Sequence, residues 1–189
     1  MCTRRSVLAI GLAAAAALAL AVRLGATTVV ALGDDELVAL SRVIVHGDVV
    51  GKESRLAAEG GRIYTEYRFR VRELMKGEAG SDQTIAFREW GGRVGNVHYW
   101  LPGVGEFALG EEVVAFLGEP DARTGIGFTT GLAQGKFRVL RPADGTPRVR
   151  RELGVLRLID RGGTEVQAEQ ADERDLEAFK TSIRRRIGR

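Results

Sequence analysis

The sequence predicts a mostly β fold of five to seven mainly antiparallel strands, forming a barrel or sandwich, with a short N-terminal helix and a C-terminal amphipathic helix. Residues 62–72 give the clearest signal, because apolar and polar side chains alternate there with a period of two. The 25 glycines separate short apolar runs, as turns and bulges do in β proteins. Residues 172–187 follow the helical period instead.

A short helix and a series of strands are predicted before the C-terminal helix. A short helix is predicted at residues 34–40, where acidic side chains fill the first turn. A β-branched strand follows at 42–50, and Gly47 and Gly51 indicate bulges or close backbone approaches. After the alternating run, strands are predicted at residues 84–90, 112–117, 126–130, 136–140 and 153–159.

The helix at residues 172–187 has one apolar stripe, because Leu176, Phe179, Ile183 and Ile187 are three or four positions apart. Acidic residues concentrate in its first half and basic residues in its second, which complements the helix dipole. We therefore expect this helix to pack its stripe on the β domain.

Residues 1–26 are predicted to be an export signal peptide. A basic start is followed by an apolar run of sixteen residues, which is short for a membrane-spanning helix. The pair Arg4–Arg5 resembles the twin-arginine type of signal, although two arginines also suffice for an ordinary basic start. The alternative is an uncleaved membrane anchor. The expected location is periplasmic or extracellular.

The leader also accounts for the net charge of +3 and the single cysteine. Three of the 28 basic residues lie in it, which leaves 25 basic against 25 acidic side chains. A neutral domain has no general attraction to phosphate backbones, so we expect no nucleic-acid partner. Because Cys2 is the only cysteine, the sequence excludes a disulfide framework and a multi-cysteine metal site.

The sequence predicts no catalytic residue, no metal ligand and no cofactor. His46 and His98 lack the spacing of a zinc site, and no serine lies in a G-x-S-x-G motif. The acidic pair Glu111–Glu112 opens a predicted strand, where solvation is the simplest interpretation. We therefore expect a protein that is not an enzyme.

The binding candidates lie in or beside the glycine-rich stretch 91–110. It lacks the motifs of phosphate-binding loops, so its glycines are interpreted as a flexible connection between strands. Aromatic residues with a polar edge are favoured at contact surfaces, although tryptophans here could also close the ends of a barrel. The candidates are Trp90, Arg93, Asn96, His98, Tyr99 and Trp100.

Three segments read in order resemble netrin-like domains, including the inhibitory domain of tissue inhibitors of metalloproteinases, and small exported bacterial proteins. They are SRVIVHG at 41–47, YRFRVRELMKG at 67–77 and FALGEEVVAFL at 107–117. The resemblance implies an OB-like barrel at residues 27–150, with a C-terminal strand and helix at 151–189 packed on it. Those inhibitors chelate zinc through an N-terminal cysteine, which this chain lacks after its leader, so inhibition by that route is not supported.

The expected function is therefore that of a small exported binding protein. A protein–protein interaction module, associated with a protease of the cell envelope, is the first hypothesis. A carbohydrate-binding module is the alternative, since OB barrels also bind oligosaccharides. A third hypothesis, a hydrolase without a familiar motif, requires a cleft with converging carboxylates of perturbed pKa or a histidine paired with one.

Overall fold

The computed structural model describes residues 27–58, 60–166 and 173–188, so the predicted leader lies outside the described residues. The first half contains β1 (Thr27–Val30), α1 (Asp34–Leu40), β2 (Val43–Leu56), β3 (Ile63–Lys76), β4 (Thr84–Trp90), β5 (Gly92–Val94) and β6 (Val97–Tyr99). The second half contains β7 (Glu112–Leu117), β8 (Lys136–Leu140), β9 (Arg148–Arg151), β10 (Leu156–Ile159), β11 (Glu173–Asp175) and α2 (Leu176–Ile187). The fold is mostly β, as predicted.

Seven strands form one antiparallel sheet in the order β11–β9–β8–β7–β2–β3–β4. The alternation predicted in β3 is present, because Ile63, Thr65, Tyr67 and Phe69 are buried while their neighbours face outward. Strand β2 pairs with β3 and β7, and its register shifts on either side of Gly47. A Cβ at Gly47 would lie 2.4 Å from the Arg70 carbonyl oxygen, which explains the glycine at this close approach.

The expected closed barrel is not found. In the described part of the chain, the paired strands form an open sheet whose two ends do not meet. The edge strands are β4 and β11. Among the described residues, the segment predicted as a strand at 126–130 makes two single bridges, a parallel one from Gly127 to Glu89 and an antiparallel one from Thr129 to Leu117. Its pairing is too short for a regular strand.

Two smaller sheets were not predicted. Strand β1 pairs in parallel with β10, which begins at Leu156 and not at the predicted residue 153. Strands β5 and β6 form a hairpin inside the glycine-rich stretch. Its turn contains Gly95, which has a φ of 56°. This stretch is therefore partly ordered by backbone pairing and is not simply a flexible connection.

Two hydrophobic cores lie on opposite faces of the sheet. The helix-side core joins α1 and α2 to the sheet through residues such as Leu37, Phe116 and Phe179. The Phe107 core, on the other face, contains Phe69 and Phe107, whose ring centroids are 5.1 Å apart in an edge-to-face contact. Alternate residues of β2 and β7 point to the two cores, as the period of a strand requires.

Helix α2 covers the helix-side core with the predicted apolar stripe. Leu176, Phe179 and Ile183 are buried against the sheet. The helix begins at Leu176, later than the predicted residue 172, because β11 takes up the preceding residues. The Asp175 carboxylate accepts a hydrogen bond from the Ala178 backbone N–H at 2.8 Å and caps the helix.

Candidate functional site

A cleft of about 390 Å³ opens where β3 begins and β4 ends. Tyr64 and Trp90 are Cα partners across these two strands, so their side chains lie on the same face of the sheet. Both rings line the cleft. We call it the cationic cleft and define it by Arg62, Tyr64, Arg88, Trp90, Arg123 and Thr124.

Two of the arginines lie over these rings in cation–π contacts. The Arg62 guanidinium lies 4.2 Å from the centroid of Trp90, and the Arg88 guanidinium 5.7 Å from the centroid of Tyr64. The Arg88 Nε also donates to Glu66 at 2.7 Å. A guanidinium held over an aromatic face loses part of its freedom and keeps its N–H donors for other partners.

The third arginine is held by an ordered turn. The Asp121 carboxylate accepts hydrogen bonds from the backbone N–H groups of Arg123 and Thr124, at 3.2 and 2.9 Å, and from the Thr124 hydroxyl at 2.9 Å. These hydrogen bonds lower the pKa of Asp121, the largest contribution coming from the Thr124 N–H. The turn therefore fixes the backbone that carries Arg123 along one wall of the cleft.

A second cleft of about 250 Å³ lies beside Trp100. Trp100 is 51% exposed and Val155 45% exposed, and Val104 and Leu153 continue the apolar lining. We call these four residues the Trp100 patch. Large apolar side chains that stay exposed together on a surface are typical of contact sites.

The buried Lys136 lies at the inner end of this second cleft. Its Nζ lies 2.9 Å from a carboxylate oxygen of Glu111 and donates to the Glu106 carbonyl at 2.7 Å. The Glu111 carboxylate also accepts the Ala108 N–H at 2.9 Å. Both members of the Lys136–Glu111 pair are sealed from solvent. The solvated role expected for Glu111 is therefore wrong.

Glu89, next to Trp90 in β4, is a buried carboxylate with 1% of its surface exposed. It accepts hydrogen bonds from the Thr129 N–H at 2.6 Å and the Thr129 hydroxyl at 3.3 Å. Burial raises the pKa of Glu89 to about 7, and the hydrogen bonds from Thr129 only partly oppose this shift. The group ties the 126–130 segment to β4.

His46 pairs with Glu112 on the helix side of the sheet. The His46 Nε2 lies 2.9 Å from Glu112, which also accepts two hydrogen bonds from Arg141 at 2.8 Å. Burial would raise the pKa of Glu112, but the hydrogen bonds from Arg141 and His46 outweigh it and lower that pKa. Glu112 is thus a member of a charge network, and the solvated role expected for it is also wrong.

The structure distributes the six predicted binding residues over separate places. Trp90 lies in the cationic cleft, whereas Trp100 lines the second cleft. Arg93 and His98 are paired on the β5–β6 hairpin and exposed, Asn96 is exposed in its turn, and Tyr99 is half-buried. His46 and His98 belong to different parts of the fold. These residues do not form one site.

The residues that sequence reasoning missed are the other members of the cationic cleft. Tyr64 and Arg88 lie on the outward face of alternating strands, and that alternation was their only signal. Arg62 and Arg123 lie next to turns far apart in the sequence, where no pattern predicts that they meet. Within the described ranges, no group of three or more histidine, cysteine or acidic residues is placed to hold a metal ion.

Comparison with known proteins finds no matching family model, curated protein or solved structure. In the described part of the chain, no helix is both long and apolar enough to cross a membrane.

Proposed function

We propose that the chain is a small exported binding protein without enzymatic activity, which docks a partner protein of the cell envelope through the Trp100 patch. The observation that carries this proposal is the exposure of Trp100 beside Val155 at the mouth of a cleft. Tryptophan is enriched among the residues that dominate binding energy at interfaces, because one ring buries a large area and still offers a polar edge.

An OB-like, netrin-like architecture belongs to the same proposal, together with the protease-associated role that the resemblance implies. It is supported by the order in which β7, β2, β3 and β4 pair, and by the 126–130 segment that bridges β4 and β7. OB folds are partly open five-stranded barrels, so single bridges at one seam are compatible with that architecture.

The test compares two aromatic-to-alanine changes in the full chain, tagged and expressed in its own cells. Trp100→Ala removes the centre of the patch, whereas the control Phe128→Ala removes a partly exposed aromatic ring outside it. We expect a partner captured by the wild type and by Phe128→Ala to be lost with Trp100→Ala. With the purified partner, the dissociation constant should rise about tenfold or more.

Equal capture by all three chains would overturn the docking role of the patch. N-terminal sequencing of the chain recovered from the envelope fraction tests the export step separately. A mature chain that starts near residue 27 supports cleavage, and an intact N-terminus contradicts it.

A carbohydrate-binding function is the second candidate, and the cationic cleft is the observation that favours it. Tyr64 and Trp90 line a concave surface together with the N–H donor groups of arginines. Sugars are bound by surfaces that combine aromatic rings with hydrogen-bond donors, and a volume of about 390 Å³ lies within the range of ligand sites.

A further inference from the structure

We propose that the cationic cleft binds the carboxylate of a uronic-acid sugar, so that its ligand is a short acidic oligosaccharide. The inference rests on the carbohydrate-binding function proposed for the same cleft and gives it a ligand class. It uses none of the residues of the Trp100 patch, so the two proposals can fail independently.

The charge of the lining is the first argument. Arg62, Arg88 and Arg123 line the cleft, and none of the described side chains that line it is acidic. Arg88 is partly neutralised by Glu66 at 2.7 Å. Arg62 has its ring contact with Trp90 but no carboxylate within 4.0 Å in the described part of the chain. Arg62 therefore brings to the cleft a positive charge that an oxyanion would neutralise.

The geometry of Arg62 is the second argument. A guanidinium presents its N–H donors as a planar fork, which matches the two oxygens of a carboxylate. Because the Arg62 guanidinium lies over the Trp90 ring, 4.2 Å from its centroid, part of its conformational freedom is lost before a ligand arrives. A preorganised fork favours a carboxylate bound by two hydrogen bonds over a diffuse ionic attraction.

The aromatic rings are the third argument, and they favour a sugar as the carrier of the carboxylate. Tyr64 and Trp90 are cross-strand neighbours, so their rings line the cleft side by side. An aromatic face is electron-rich, and the C–H groups of a sugar ring carry partial positive charge.

The charge of the rest of the chain argues against a nucleic acid. Phosphate polymers are bound along extended basic tracks that neutralise many phosphates. On the outer face of the sheet, Arg70 and Arg72 pair with Asp48, and Arg55 pairs with Glu53. These pairs interrupt a basic track along that face, and the cleft with its Arg62 suits one or two carboxylates.

Trp90 provides the signal for the experiment. The chain has two tryptophans, so Trp100→Phe leaves Trp90 as the reporter at the cleft. Its fluorescence is titrated with galacturonic-acid hexamer, with neutral maltohexaose, with a hexaglutamate peptide and with a thymidine hexanucleotide. We expect the galacturonate hexamer to change the fluorescence saturably and to bind at least tenfold more tightly than each other probe.

Arg62→Ala in the same background should weaken galacturonate binding about tenfold or more, because a charge-assisted pair is lost. The matched control is Arg93→Ala, an exposed arginine on the hairpin that does not line the cleft, and it should bind as before. Circular dichroism melting checks that each variant is folded. Because the attraction is partly electrostatic, affinity should fall as salt is added.

Each other result overturns the inference in a distinguishable way. Equal binding of maltohexaose would keep the carbohydrate function and remove the specificity for uronic acids. Tighter binding of hexaglutamate or of the hexanucleotide would assign the cleft to an acidic peptide or to a nucleic acid. Binding of none of the four probes, or equal loss in Arg62→Ala and Arg93→Ala, would remove both the ligand class and the site.

Discussion

A half-buried glutamate on one face of the sheet and a fully buried one on the other have opposite pKa shifts, and the difference follows from solvent access and partners. On the helix side, burial would raise the pKa of Glu73, but hydrogen bonds from Lys180 and Arg184 outweigh it and lower that pKa. On the side of the Phe107 core, Glu89 is enclosed and accepts hydrogen bonds from Thr129 alone among the described residues, and its pKa rises to about 7.

The ion pairs follow the same division. Lys180 on the helix side pairs with Glu73, whose side chain is 27% exposed, and with the exposed Glu177. Lys136 on the other side pairs with Glu111, and both side chains are enclosed. A partly exposed charge that loses its partner can be hydrated by water, whereas an enclosed charge cannot. The Phe107 side is therefore the more sensitive to loss of a charge.

The largest expected effect comes from breaking the enclosed pair. Lys136→Met should lower the free energy of unfolding by about 3 kcal/mol, because the buried Glu111 carboxylate loses its buried cation at 2.9 Å and keeps the half-exposed Arg138, whose Nε lies 3.9 Å away. The matched change Lys180→Met should cost about 1 kcal/mol, since Glu73 keeps Arg184 and contact with water. Urea denaturation at pH 7.5 measures both.

The double variant Lys136→Met with Glu111→Gln separates charge from packing. The amide oxygen introduced by Glu111→Gln can still accept the Ala108 N–H that Glu111 accepts at 2.9 Å, but the side chain carries no charge. We expect the double variant to recover a large part of the loss. Equal costs for Lys136→Met and Lys180→Met would contradict the distinction between the two faces.

The two faces also differ in how far the sequence predicted them. The helix-side core follows from two periodicities, the alternation of strands and the stripe Leu176, Phe179 and Ile183, since each period places apolar residues on one surface. Strands 84–90, 112–117 and 136–140 were predicted with their observed ends, because each is a short apolar run bounded by turns.

The polar groups of the Phe107 side could not be predicted in the same way. Glu89 and Lys136 occupy inward positions that a pattern of apolar residues does not explain, and their partners Thr129 and Glu111 are distant in the sequence. The prediction of a regular strand at 126–130 was wrong. The Thr129 N–H donates to the Glu89 side chain, a contact that the local sequence does not reveal. For the same reason, sequence proximity grouped Trp90 with Trp100, which the hairpin β5–β6 separates into two clefts.

A second prediction tests the pKa of Glu89 directly. A carboxyl whose pKa is raised on folding, here from 4.5 to about 7, binds its proton more tightly in the folded state. The contribution of Glu89 to stability is therefore full below pH 4.5 and is lost as pH rises through 7. Between pH 5 and pH 7 the loss should be about 2 kcal/mol, and Glu89→Gln should abolish it.

The measurement is the urea unfolding free energy at half-unit steps of pH. Glu73→Gln is the control from the other face, because the pKa of Glu73 is lowered and it makes no comparable loss as pH rises through this window. An unchanged slope in Glu89→Gln would show that another group titrates between pH 5 and pH 7.

The smallest expected effect concerns Glu112 on the helix side, whose pKa is shifted in the direction opposite to that of Glu89. Glu112 has a lowered pKa, so its contribution is full above the unfolded pKa near 4.5 and is lost as pH falls through its lower folded value. Glu112→Gln should therefore cost about 1 kcal/mol at pH 7, since Arg141 loses a charged acceptor. The difference from wild type in the free energy of unfolding should shrink below pH 4.5 until it vanishes.

The control is Glu119→Gln, which alters the exposed pair with Arg42 and should cost nothing measurable at either pH. A cost for Glu112→Gln that grows on acidification would place Glu112 with Glu89 among the enclosed carboxyls, and the contrast between the two faces would then reduce to Glu73 alone.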